Sequence, residues 1–139
     1  MNSCYAITCT QAGYEFNQMN YSTLNACAVE VCGIGFYMRS NCNNVALIGC
    51  GAEDQIPRNT GDGVEYKGVD YQLEGGVGNS MISCYSRNNQ YAGTVLKGGN
   101  PTIMGYRQIG DAQFGILGDE SAKAQLINNN CGSKVQIPA

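Results

Sequence analysis

An all-β solenoid is the fold this sequence predicts, and three observations carry the prediction. A cysteine recurs at Cys4, Cys27, Cys50 and Cys84, and Tyr106 and Asn128 continue the series, at intervals of 23, 23, 34, 22 and 22 residues. A second landmark, a glycine ahead of about three residues of high strand propensity, recurs once in each of five coils. Between them no helical periodicity is found, and Gly and Asn mark the bends. A fixed period of this size is the signature of stacked repeats, each burying its apolar face against the next.

The coils can be followed in order. The first is cut off, with only Met1-Asn2-Ser3 ahead of Cys4, and its glycine-led segment is Gly13-Tyr14-Glu15-Phe16. Leu24-Asn25-Ala26 leads into Cys27, and Gly35-Phe36-Tyr37-Met38 follows. Leu47-Ile48-Gly49 leads into Cys50, with Gly63-Val64-Glu65-Tyr66 as the third segment. Met81-Ile82-Ser83 precedes Cys84, then Gly93-Thr94-Val95-Leu96. Ile103-Met104-Gly105 precedes Tyr106, then Gly115-Ile116-Leu117, and Gln125-Leu126-Ile127 precedes Asn128. Cys9 and Cys32, each five residues after a marker, repeat at the same 23-residue interval.

Coils of 22 to 23 residues with two or three short strands predict a right-handed parallel β-helix of about six coils, one domain over residues 1–139. Each strand then pairs with its equivalent one coil away, about 4.8 Å distant, so like positions stack into ladders. Small polarizable thiols suit the interior, giving a core stack of Cys4, Cys27, Cys50, Cys84, Tyr106 and Asn128. The one long interval holds the run 51–63, whose Glu53, Asp54, Pro57, Arg58, Asn59 and Asp62 have loop composition; it is expected to be an insertion loop. A short solenoid exposes strand edges at its ends unless they are capped. The chain is therefore expected to be a fragment of a longer protein, or a protomer capped by its neighbours.

Eight basic residues against 11 acidic, with a pI near 4.7, argue against nucleic acid as partner, because phosphate contacts need a basic surface. No apolar run has the length of a membrane-spanning helix, and no signal peptide is recognisable. Histidine is absent, which removes Ser-His-Asp and Cys-His nucleophilic sites and His-ligated metals. Cys4-x4-Cys9 with Cys27-x4-Cys32 has the form of a four-cysteine zinc site, yet the register runs on to Cys50 and Cys84 without paired cysteines. A reduced interior stack is the expectation, with no metal and no cofactor. Markers one coil apart are also close enough for a disulfide, which stays open. Gly75-Gly76-Val77-Gly78 lacks the lysine of a phosphate loop and reads as a bend.

Carboxylates are then the residues left for catalysis. Glu15 and Glu65 hold the same place in the glycine-led segments, two coils and about 10 Å apart, just beyond an inverting glycosidase pair. Strand alternation sends both outward if Phe16, Met38 and Tyr66 point in. The candidate catalytic residues are Glu15, Glu65 and Asp54, one carboxyl donating a proton and another activating water. A lyase variant has Lys67 or Arg87 neutralise a uronate while a Tyr or Lys takes the proton. Tyrosines beside Asn and Asp suit a sugar-binding surface, and Tyr37, Tyr66 and Arg87 are the candidate glycan-binding residues. The same rings serve equally well as half-buried strand residues.

Segments such as Ala26-Cys27-Ala28-Val29-Glu30-Val31-Cys32-Gly33-Ile34-Gly35-Phe36 and Asn43-Asn44-Val45-Ala46-Leu47-Ile48-Gly49-Cys50 resemble pectin-lyase-like parallel β-helix repeats. Asn88-Asn89-Gln90-Tyr91-Ala92-Gly93 has the same character, and the Asn-, Gly- and Cys-rich composition is similar to bacteriophage tailspikes. The resemblance implies a homotrimeric virion appendage, assembled in the host cytoplasm, that recognises a bacterial surface polysaccharide and often cleaves it. The charge balance and the lack of a long apolar run add the expectation of no nucleic-acid partner and no membrane insertion. The alternatives are a structural or trimerisation segment without activity, a fragment of a secreted pectin-degrading enzyme, and a small zinc module.

Overall fold

Short strands separated by tight bends repeat along the computed structural model, which describes residues 1–110, 112–131 and 134–138. The first coil holds β1 (Tyr5–Ile7), β2 (Ala12–Phe16) and β3 (Asn20–Asn25), and the second β4 (Ala28–Glu30), β5 (Ile34–Met38) and β6 (Asn43–Ile48). The third holds β7 (Gly51–Glu53), β8 (Pro57–Arg58), β9 (Tyr66–Lys67), β10 (Val69–Leu73) and β11 (Ser80–Ile82). The fourth is β12 (Tyr85–Arg87), β13 (Ala92–Leu96) and β14 (Thr102–Met104), and the fifth β15 (Arg107–Ile109), β16 (Phe114–Gly118) and β17 (Gln125–Ile127). A sixth begins with β18 (Asn130–Cys131) and β19 (Val135–Gln136). Equivalent strands pair in parallel to form three sheets: β1-β4-β7-β12-β15-β18, β2-β5-β10-β13-β16-β19 and β3-β6-β11-β14-β17. The fold is thus a parallel β-solenoid, with no helix among the described residues.

Two of the bends turn on a single left-handed residue per coil. Ser3, Ala26, Gly49, Ser83, Gly105 and Asn128 form one such row, and Thr8, Val31, Asp54, Asn88 and Gly110 the other, all at positive φ. Asn, Asp and Gly tolerate that conformation, whereas a β-branched Val31 at φ 55 is strained. Val31→Asn is therefore expected to stabilise the fold by about 1 kcal/mol. A raised urea midpoint checks this, and an unchanged or lowered midpoint contradicts it.

The marker residues follow the first bend directly and face inward. Cys27, Cys50 and Cys84 are buried and none of the eight cysteines is in a disulfide. Each thiol lies within hydrogen-bonding reach of the carbonyl two residues back: Cys27 Sγ to Asn25 O at 3.5 Å, Cys50 to Ile48 O at 3.7 Å, Cys84 to Ile82 O at 3.6 Å. A thiol fills the tight inner corner and partners a bend carbonyl at once, which explains the choice of cysteine. In the sixth coil the marker is Asn129 and not Asn128. The Tyr106 amide donates to Asn129 Oδ1 at 2.8 Å, and Met104 pairs with Ile127, so Asn128 falls at the bend itself. Asn recurs on both sides of that boundary, which hid the one-residue shift.

The interior of the second sheet is a column of rings. Tyr14 stacks on Phe36 with centroids 5.0 Å apart, Phe36 on Tyr71 at 5.2 Å, and Tyr106 meets Tyr71 edge-on at 6.1 Å. Tyr71 is thus the register partner of Phe36, and β10 supplies the third member of the ladder. The sequence expectation placed Gly63-Val64-Glu65-Tyr66 there; that alignment is corrected. Asp70 stands in the row that Gly13, Gly35, Gly93 and Gly115 occupy in the other coils, so the third coil lacks the glycine that marks the segment. The insertion is accordingly the stretch 56–67 rather than 51–63, since Gly51–Glu53 is a regular strand of the first sheet and the chain is back in register at Gly68, whose amide bonds Gly33 O. It folds as a small antiparallel hairpin of β8 and β9, with Arg58 opposite Tyr66.

Candidate functional site

The hairpin leans on the outer face of the second sheet. Tyr66 and Val64 pack with Ile34, Tyr37, Val69, Ala92 and Val95 in an apolar cluster separate from the solenoid interior. Its outward rows are Ala12-Ile34-Val69-Ala92-Phe114 and Glu15-Tyr37-Gln72-Val95-Leu117. A third row follows the strands: the amides of Arg39, Glu74, Lys97 and Asp119 each bond the preceding coil's carbonyl. Charge alternates along this row, and Lys97 Nζ lies 3.4 Å from Glu74 Oε1.

Two cavities adjoin along this face. The larger, about 600 Å³, is lined by hairpin residues including Arg58, Asn59, Glu65 and Lys67 together with Gln90 and Tyr91. The second, about 360 Å³, has Val69, Gln72, Val95 and Leu117 along its floor and Lys97 and Asp119 at its edge. Glu65, Lys67 and Tyr91 border both, so the two form one groove crossing several coils. Lys67 Nζ sits 2.8 Å from Glu65 Oε2 and 5.4 Å above the Tyr91 ring. The hydrogen bond to Lys67 holds the Glu65 carboxyl below its ordinary range and raises the ammonium of Lys67 in turn. The hydroxyl and then the amide of Ser121 lead the hydrogen bonds that lower Asp119, against some burial. An apolar floor, a half-buried ring, amides and fixed charges are the equipment of an elongated polar-ligand site.

The sequence-predicted residues scatter over this surface. Glu15 projects outward from β2 as expected, but Arg39 binds it at 2.7 Å. Glu65 lies on the hairpin and does not share Glu15's row. Tyr37 and Tyr66 are only 2% and 3% exposed, so their rings are covered. Tyr37 donates to Glu74 Oε1 at 2.8 Å beneath the Arg39 guanidinium, and Tyr66 donates to Asp62 Oδ2 at 3.0 Å. Burial, then the Asp62 bond, pushes the Tyr66 phenol up to about 12.

Asp54 and Arg87 belong to another group, on the first sheet. There Glu30, Glu53 and Asp54 bring carboxylate oxygens within 4.8 Å of one another. Tyr5 donates to Glu30, Tyr85 to Glu53 at 2.5 Å, and Arg87 Nη1 lies 3.8 Å from Glu53. The hydrogen bond to Glu53, then burial, raises the Tyr85 phenol to about 12. Tyr5 and Tyr85 flank Ala28 and Gly51 in their row, leaving a slot of only about 120 Å³. Glu30 and Glu53 were legible from the repeat, each standing three residues after a marker cysteine. Of the groove residues, Tyr91 was legible as one of the tyrosines beside Asn that suit a sugar face, Lys97 carried no signal, and Gln72 was hidden because the third coil was out of phase. No family model, curated protein or solved structure matches the chain.

Proposed function

We propose that this chain is a receptor-binding segment of tailspike type, and that the groove beside the hairpin recognises a bacterial surface polysaccharide. The observation that carries the reading is that groove: it runs over successive coils, with the Tyr91 ring for a sugar face and Gln90, Lys67, Lys97 and Asp119 for hydroxyls. Recognition is favoured over cleavage, because Glu15 and Glu65 are each engaged by a cation and Asp54 lies with a different group. In this reading the working assembly is a homotrimer on a virion.

A second reading, a structural segment that binds no glycan, is favoured by the third sheet. Ile48, Ile82, Met104 and Ile127 stack there in one outward row beside the small residues Ala46, Ser80 and Thr102. Such a flat apolar stripe suits contact with another protein surface.

A panel of capsular polysaccharides and lipopolysaccharide O-chains separates the two. Retention of one polymer is expected, with Tyr91→Ala and Lys67→Ala each weakening it about tenfold. Shortening of the retained polymer on size exclusion would add depolymerase activity. Absence of binding across the panel, with Ile82→Glu dispersing an oligomer, makes the structural reading the right one.

A further inference from the structure

Inside the third and fourth coils lies a polar cluster that the groove does not use. Asp70 on β10 is 0% exposed and occupies a row otherwise held by glycine. Asn89 Nδ2 donates to its Oδ2 at 2.8 Å, and Asn89 itself is 2% exposed. The second carboxyl oxygen, Asp70 Oδ1, and the amide oxygen, Asn89 Oδ1, are both buried and have no hydrogen-bond partner. Two orphaned acceptors on one bonded pair have a single economical explanation: a proton between them. A carboxylic acid facing a primary amide makes two hydrogen bonds in a ring, N–H to one oxygen and O–H from the other.

We propose that Asp70 and Asn89 form this neutral acid–amide pair, with the Asp70 proton donated from Oδ1 to Asn89 Oδ1. We further infer that the pair is a proton-controlled latch at the base of the hairpin. The placement argues for the second step. The hairpin departs after Gln55 and returns into β10, so both of its ends are pinned by buried polar side chains. Gln55 Oε1 accepts from the Cys32 amide at 2.7 Å while its Nε2 donates to Glu53 O at 2.7 Å. Asp70 pins the other end, two residues after Gly68, whose amide bonds Gly33 O at 3.0 Å. Burial, the largest cause, lifts the Asp70 carboxyl well above its ordinary range, against the Asn89 hydrogen bond and the nearby Ser86 and Gln55 dipoles.

Of the groups that act on it, Asp54 from the bend after β7 adds negative charge, and Tyr71 and Tyr106 are phenols raised above their ordinary range. Among the described residues no ion pair reaches Asp70. An ionised Asp70 would therefore face the Asn89 oxygen with no cation to hold it, and the base of the hairpin would open. The sign follows: a carboxyl raised in the folded state contributes stability that is complete in acid and is lost as pH rises through its folded value. The inference stands independently of the saccharide reading.

The test is proteolytic cleavage of the hairpin in the whole chain across a pH series, in the wild type and in Asp70→Asn. Asparagine reproduces the ring without a titratable proton. The wild-type cleavage rate relative to Asp70→Asn is expected to rise by up to about tenfold per pH unit between the ordinary carboxyl range and the raised folded value of Asp70, and to level off above it, as one linked proton requires. Identical profiles overturn the latch. An infrared carbonyl band of a neutral buried carboxyl at pH 7, lost in Asp70→Asn, is expected in addition. Its absence from the wild type overturns the pair itself, whether or not the variant folds.

Discussion

Tyr71→Ala is expected to destabilise the solenoid by about 3–5 kcal/mol, the range for removing a buried aromatic ring. Tyr71 is 0% exposed and is held between the Phe36 face and the Tyr106 edge, so the cavity is walled by rings that themselves lose partners. Its hydroxyl is 2.7 Å from Cys50 O and 2.8 Å from Tyr85 O, tying the second sheet to the starts of β7 and β12. Tyr71→Phe keeps the ring and removes only that tie, and should cost about 1–2 kcal/mol. Urea unfolding of both variants checks the ordering. Equal losses would mean that the hydroxyl, and not the column, holds the third coil.

Gly35→Ala is expected to cost about 3 kcal/mol, at the upper end for overpacking a core. A Cβ there would lie 2.4 Å from the Asp70 carbonyl oxygen, 2.9 Å from Val29 Cγ1 and 3.3 Å from the Ala52 Cβ. The first obstacle is backbone of the next coil, which cannot rotate away as a side chain can. Relief requires separating β5 from β10, and with them the parallel ladder. Alanine at Gly49, where no atom lies within 4 Å of the added Cβ, meets only the cost of its left-handed bend, about 1–2 kcal/mol. A melting-temperature drop markedly larger at 35 than at 49 is the expected result. A smaller loss at 35 would contradict the close approach of sheet and bend.

These positions show what a repeat discloses and what it conceals. The 23-residue interval exposed the cysteine ladder because thiols serve two needs at one corner, and Cys4, Cys27, Cys50 and Cys84 hold that corner before Tyr106 and Asn129 take it over. The ring column was hidden where Asp70 displaced glycine: the landmark moved to Gly63, which belongs to the hairpin, and carried Glu65 and Tyr66 with it. Tyr37 looked exposed on alternation alone, and strand alternation does place it outward; the hairpin that covers it comes from a distant stretch of chain. For the same reason the groove was not legible. Its residues come from the hairpin and from three further coils, and only the corrected phase of the third coil brings them together.

In the proposed function the groove between the hairpin and the second sheet holds a saccharide. The most direct measurement is an amide chemical-shift map of the labelled chain, titrated with an oligosaccharide released from the polymer it retains. Shifts confined to Glu65, Lys67, Gln72, Tyr91, Lys97 and their neighbours, abolished in Tyr91→Ala, are expected. Shifts centred on Glu30, Glu53 and Tyr85, or no shift with any bacterial polysaccharide fragment, would contradict that function.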